Sequence, residues 1–227
     1  MSVRTNVYFD TPDHVHIVGD YVLPEEDIRS VAVFLHMMPA TRKSYMAFQE
    51  AVALCGVASL AIDLRGHGDS TAMEGREEPL DYNHFSEKEH QSSIWDVRGA
   101  VQYLTELTNT PVDRCMLVGA SIGANLALQF SSEEHRIPLT VALSPGLTYR
   151  GIETLPLVSA IDQTKQRLLL AASTEDTYSR EAAQKLHAAA PDASTAVIRE
   201  GSEHGTDMFQ DQEFALKIAR ALYAMHL

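Results

Sequence analysis

A serine stands between two glycines at Gly119-Ala120-Ser121-Ile122-Gly123, after the apolar run 115–118 and at the head of a helical pattern over 122–130. A strand, a tight turn and a helix in succession would put Ser121 at the apex, with its hydroxyl thrust clear of the backbone. Such a turn needs small neighbours. The flanking glycines, with Ala120 and Ala124 beside them, let strand and helix approach closely. The first amides of the helix would point at Ser121 and favour negative charge developing there. Serine is a weak nucleophile by itself, so this chemistry also needs a positioned general base.

Stepping outward from the serine, the elements that must position it alternate along the chain. Residues 6–10 and 15–23 read as a hairpin, with Pro12 and Asp13 in its turn. Short apolar runs follow at 31–35, 57–62, 115–118, 139–143 and 168–171, with a last one at 196–198. They are continuous rather than alternating, as strands covered on both faces should be. Helical patterns lie between them at 43–54, 92–107, 122–130, 180–189 and 212–224. In 92–107, Ile94, Val97, Val101 and Leu104 recur at three- and four-residue spacing. The alternation predicts one α/β domain over 1–227, a mostly parallel sheet with helices on both faces. Ligands bind beyond the carboxyl ends of such strands, which directs attention to the loops after each run.

Two of those loops carry further motifs. Leu35-His36-Met37-Met38-Pro39 follows the third strand, and Asp63-Leu-Arg-Gly-His-Gly-Asp-Ser70 follows the fourth. Together with the serine turn, in this order, they resemble the α/β-hydrolase family: its HGxP-type loop, its D-x-R-G-x-G-x-S segment and its G-x-S-x-G elbow. The resemblance covers nearly the whole chain and implies the α/β-hydrolase fold, with an eight-stranded sheet. Met37 departs from it, standing where the family usually has glycine. The resemblance also implies oxyanion donors at the backbone N–H groups of Ile122 and Met38, and His36 and Met37 are candidate substrate contacts in the same loop. Triads of this fold run serine, acid, histidine along the chain. Four histidines follow Ser121. His135 follows a helix, His187 lies within one and His226 sits near the last residue, whereas His204 occupies a loop after the last strand, between Gly201 and Gly205. His204 is therefore the expected base. Asp176 matches the family's acid, in the loop after strand 168–171, with the adjacent Glu175 as its rival. Its role would be to orient the imidazole and stabilise the imidazolium.

Other features narrow the function. A net charge of −13, from 18 basic and 31 acidic residues, argues against nucleic acid and anionic membrane as partners. No apolar run approaches the ~20 residues that span a bilayer. The first residues lack an apolar leader stretch, and Cys55 and Cys115 read as buried free thiols, so a cytoplasmic setting is expected. No metal or cofactor motif is present, and none is expected to be needed. Arg65 and His67 are expected to shape a turn, and a metal site at His14 and His16 is not expected. Only 22 positions separate Ser144 from Gln166 (166 − 144 = 22), too few for a large cap domain. An open site and a serine nucleophile point to carboxylic esters of modest size. A thioesterase, a small serine peptidase and a cofactor-free perhydrolase would use the same triad, and a binding module with vestigial catalysis is the alternative from another class. The aperiodic stretch 71–90 is expected to wall the pocket, with Tyr82 and Phe85 facing inward.

Overall fold

The computed structural model describes residues 2–224. Eight strands form one sheet: β1 (Val3–Asp10), β2 (His16–Leu23), β3 (Ser30–Leu35), β4 (Val57–Ile62), β5 (Cys115–Ala120), β6 (Leu139–Leu143), β9 (Arg167–Ser173) and β10 (Ser194–Arg199). A separate two-residue pair, β7 (Thr148–Tyr149) and β8 (Ile152–Glu153), lies between β6 and β9. The order across the sheet is β1-β2-β4-β3-β5-β6-β9-β10. β1 and β2 pair antiparallel, β2 meets β4 antiparallel, and every later neighbour is parallel. The chain crosses over the sheet through α1 (Met46–Ala53), α3 (Ile94–Thr108), α4 (Ile122–Glu133) and α6 (Thr177–Ala189), with the shorter α2 (Glu87–Gln91) and α5 (Thr154–Ser159) in connections, and α7 (Gln212–Ala224) follows the last strand.

Alternation along each central strand explains the layering. Val31, Val33 and Leu35 of β3 pack with α3 and α4, whereas Ala32 and Phe34 pack with α1 and α7 on the other face. Every residue of β3, β4, β5 and β6 is buried, so their apolar runs are continuous. α4, α6, β6 and β9 share a third cluster through Leu128, Leu168, Leu170, Ala183 and Leu186.

Several boundaries differ from the sequence reading, each for a local reason. The predicted helix 43–54 divides into a tight 3₁₀ turn (Arg42–Tyr45) and α1, because Arg42 is drawn into a buried ion network. The stretch 71–90 is not wholly irregular. Ser86 and Glu89 form a capping box that starts α2: Glu89 N–H donates to Ser86 Oγ at 3.3 Å, and Ser86 N–H donates to the Glu89 carboxylate at 2.8 Å. That Ser-x-x-Glu signature was visible in the sequence. Cys115 is buried, and burial pushes its thiol up to about 12, but Cys55 is only half-buried. Both thiols are free.

Candidate active site

Ser121 sits between β5 and α4 with φ 53° and ψ −116°, a conformation an L-residue holds only under strain of about 1–3 kcal/mol. Packing fixes it. A Cβ at Gly119 would lie 2.1 Å from the Gly123 carbonyl oxygen, and one at Gly123 would lie 2.3 Å from that of Leu35. Any side chain at either position would force strand, helix and β3 loop apart. The two glycines thus bring three backbones together at the serine. Ser121 N–H donates to Leu143 O at 2.9 Å, pinning the turn to β6. Ile122 opens α4, where the first amides have no carbonyl one turn earlier to accept them. Gly123 also seats the His36 carbonyl, 2.7 Å from its hypothetical Cβ, so the loop carrying Met38 runs against the elbow.

His204 caps a 3₁₀ turn (Gly205–Gln210) beyond β10, and Asp176 is the N-cap of α6 beyond β9. Thirty residues apart or nearly so in sequence, they meet because β9 and β10 are parallel neighbours whose carboxyl ends lie at one edge. His204 Nδ1 donates to Asp176 Oδ2 at 2.7 Å, which leaves Nε2 as the basic nitrogen. Burial alone would raise the Asp176 pKa. The hydrogen bonds from His204 and Ser179 and the charge of His204 outweigh it and hold the carboxyl below its ordinary 3.8. Glu175, its rival, is exposed, and its N–H is spent on Gly201 O at 3.0 Å. Of the two adjacent carboxylates, only Asp176 is aimed at the imidazole.

Two site residues escaped the sequence reading. Ser144, with φ 48°, lies just beyond β6; its Oγ accepts from Gly205 N–H at 2.9 Å. It therefore braces the histidine loop. Tyr149, on β7, places its hydroxyl 3.4 Å from Ser179 Oγ, beside the Asp176 cap of α6. The signal for the first was a Ser-Pro-Gly at a strand's carboxyl end; the second had no local signature. Further support for the histidine loop comes from Ser173 Oγ, which donates to Glu203 O at 2.6 Å.

Three expected substrate contacts are corrected. His36 is fully buried: its Nδ1 donates to Met37 O at 2.9 Å, and its Nε2 accepts from Leu64 N–H at 3.0 Å. Desolvation beneath His67 lowers its pKa to about 3, so it is a neutral strut joining the β3 and β4 loops. Tyr82 stacks on His67 at 3.8 Å between centroids, and Phe85 packs on Gly66 and edge-on to His90. Both rings face the Gly66–His67 turn, because that turn exposes a glycine and an imidazole for aromatic cover. Met37 does lie at the site's edge. Its sulfur stands 2.6 Å from where a Cβ of Gly205 would be, so the methionine fits because position 205 is glycine.

The D-x-R-G-x-G-x-S segment turns out to be scaffold. Buried Asp63 accepts from Arg42 N–H at 2.7 Å and Asp69 N–H at 2.9 Å, and pairs with the Arg42 guanidinium. Gly68, at φ +51°, leaves room for that carboxylate. Arg65 bridges Asp13 and Asp96 from a buried position. Ser70 Oγ accepts from Val18 N–H. Of the other histidines, His14 pairs with Glu74, His16 with Asp10, His135 with Gln166 and His187 with Ser194, while His226 lies outside the described residues. A recess of about 590 Å³ lies between α1 and α7, lined by Phe48, Phe209 and Leu216. It borders Thr206 and Asp207 behind the histidine loop and includes none of Ser121, Asp176 and His204. Among the described residues, no group of three His, Cys, Asp or Glu could hold a metal ion, and no helix is long and apolar enough to cross a membrane.

Solved structures share this architecture at low identity. The esterase Pf2001 of Pyrococcus furiosus superposes with a TM-score of 0.76 at 20% identity, over 97% of this chain and 92% of its own. The α/β-hydrolase GrgF of a Penicillium species gives 0.77 at 14%, over 99% of both chains. A dienelactone hydrolase from Anabaena variabilis gives 0.72 at 18%, over 98% and 95%. None of the curated proteins compared matches the sequence significantly. Residues 26–174 match the sequence model of the Hydrolase_4 family, described as serine aminopeptidase, S33. That span carries the β3 loop, the scaffold turn and the nucleophile elbow, and with the fold it makes this chain a member of that family of α/β-hydrolases.

Proposed function

We propose that the chain is a serine hydrolase that cleaves carboxylic esters of modest size through an acyl-enzyme. The observation that carries this reading is the Asp176–His204 hydrogen bond at the same sheet edge as the strained Ser121 elbow. In the proposed mechanism, His204 Nε2 takes the Ser121 proton as Oγ attacks the ester carbonyl. The N–H groups of Ile122 and Met38 receive the developing oxyanion, each such donor contributing roughly 3–4 kcal/mol in the transition state. The imidazolium then protonates the departing alcohol, and water repeats the sequence to release the acid.

The short connection between β6 and β9 holds only β7, β8 and α5, so the site has no large cap above it. That openness favours accessible esters, and the net charge of −13 favours neutral over anionic ones. The proposed setting is cytoplasmic, with no added cofactor. A peptidase reading draws on the family's description and uses the same groups against a poorer leaving group.

A fluorophosphonate probe tests the central claim. Folded wild-type protein should gain one adduct on Ser121, and Ser121→Ala should lose both adduct and ester turnover while keeping its melting temperature. More than a few per cent of residual turnover would remove Ser121 from the mechanism. Absence of labelling in folded wild type would favour a binding module. Parallel p-nitrophenyl esters, thioesters and amino-acid p-nitroanilides separate esterase, thioesterase and aminopeptidase.

A further inference from the structure

Gly205, the residue after His204, is buried where three loops meet. Its N–H donates to Ser144 Oγ, beyond β6, at 2.9 Å. A Cβ placed on it would come 2.6 Å from Met37 Sδ and 3.3 Å from the Ala120 Cβ. Ala120 ends β5 just before the nucleophile, and Met37 belongs to the β3 loop. The backbone that carries the base therefore rests on the elbow, on the β6 loop and, through a thioether, on the β3 loop. Gly205 also has φ +58°, so glycine suits this place by its backbone as well as by its missing side chain.

Met37 is the long side chain in this contact, and it is held from its own end. His36, fully buried, donates from Nδ1 to Met37 O at 2.9 Å and accepts from Leu64 N–H at 3.0 Å. The Met37 side chain is half-buried and packs on the apolar cluster that contains Ala120 and Met208. Met208 lies in the 3₁₀ turn that follows the base. The slot between the β3 loop and the histidine loop is thus filled from the β3 side, by a flexible thioether suited to irregular gaps. The Nδ1–Asp176 bond fixes the direction of the imidazole but not the placement of the backbone that carries it. That placement is set by what Gly205 rests on.

We propose that Met37 is a positioning residue for the base: its thioether seats Gly205 and so sets the reach of His204 Nε2 towards Ser121. The inference rests on the serine-esterase reading above. Met38, the next residue, is the second oxyanion donor of that reading, so one contact registers the base against the oxyanion loop. A reacting group misplaced by about 1 Å can lose roughly 10²-fold in rate. Without the thioether, close packing is lost on one side of Gly205 and the histidine loop gains room to shift. The loss falls on kcat, because Met37 acts through the base and not on bound substrate.

The test is a double-mutant cycle read in kcat and KM for p-nitrophenyl acetate. Met37→Ala should lower kcat about tenfold with KM within about twofold of wild type, and Met37→Leu, which refills the slot, should recover most of that loss. Gly205→Ala should lower kcat further, since its methyl group meets the sulfur. Adding Met37→Ala to Gly205→Ala should then raise kcat about threefold or more, the reverse of its effect on the wild type. The cost of an alanine at positive φ is present in both Gly205→Ala backgrounds and cancels from that comparison. Equal losses from Met37→Ala in the two backgrounds, or a change confined to KM, overturn the assignment while an active, probe-labelled wild type leaves the esterase reading standing. Should Gly205→Ala fail to fold, the Met37→Ala loss and its leucine rescue decide alone: no loss in kcat, or no rescue, overturns it. A wild type that neither turns over esters nor takes the probe overturns both.

Discussion

On the β3–β4 side of β5, buried charges lock the loops; on the β6–β9–β10 side, a few uncharged or half-exposed hydrogen bonds hold Asp176 and the His204 loop. Arg42 there is almost fully buried and reaches Asp20, Asp63 and Asp69, while Arg65 reaches Asp13 and Asp96. His36 and His67 fill the space between those networks. Across the nucleophile, β10 is only partly buried along most of its length, and the His204 side chain keeps about a third of its surface in solvent. The contrast follows from the chemistry each flank is given. Backbone donors for an oxyanion work best when they cannot relax. In the proposed mechanism the base exchanges protons with serine, alcohol and water, so it cannot be sealed.

Four substitutions and one change of pH would sharpen or break that comparison. The largest effect falls on the lightly held flank. Asp176→Asn should lower kcat by roughly 10²–10⁴, because His204 loses the acceptor that fixes its tautomer. Glu175→Gln, at the exposed neighbour, should change kcat less than about twofold; the opposite ranking would move the acid to Glu175.

On the locked flank the damage should appear as stability instead. Asp63→Ala leaves a buried guanidinium and two loop amides without their acceptor, and should cost about 3–5 kcal/mol in urea unfolding. A loss below about 1 kcal/mol would show that Asp20 and Asp69 suffice to hold Arg42. Ser144→Ala should separate catalysis from stability more finely. Without its hydroxyl, Gly205 N–H loses its acceptor beside His204, and kcat should drop about tenfold with little change in melting temperature. An unchanged kcat would confine Ser144 to a turn role.

The smallest effect is electrostatic. The Asp176 carboxyl lies below 3.8 in the folded chain, so the folded state binds fewer protons than the unfolded one. Its contribution to stability is therefore full above about pH 5 and is lost as pH falls through the lowered native value. The gap in urea midpoint between wild type and Asp176→Asn should narrow as pH goes from about 6 towards about 3. A gap that widens on acidification would mean that the carboxyl is not held down by its partners.

The sequence by itself determined what depends on neighbours a few residues apart. Continuous apolar runs announced the covered strands, and β4 and β6 begin and end where those runs do, as α7 does with its helical pattern at 212–224. Small residues around Ser121 announced the elbow, because close strand–helix approach needs them locally. His204 and Asp176 were legible as residues in the right loops, though nothing local set them 2.7 Å apart; the parallel pairing of β9 with β10 decided that. Tertiary structure alone decided the direction of side chains whose partners are distant in sequence. The 71–90 aromatics looked like pocket lining but turned to cover the Gly66–His67 turn, while Tyr149, unmarked in the sequence, came to lie on Gly146 beside Ser179. A ring's burial is settled by which surface the fold leaves bare, and that surface exists only once strands far apart in the chain have packed.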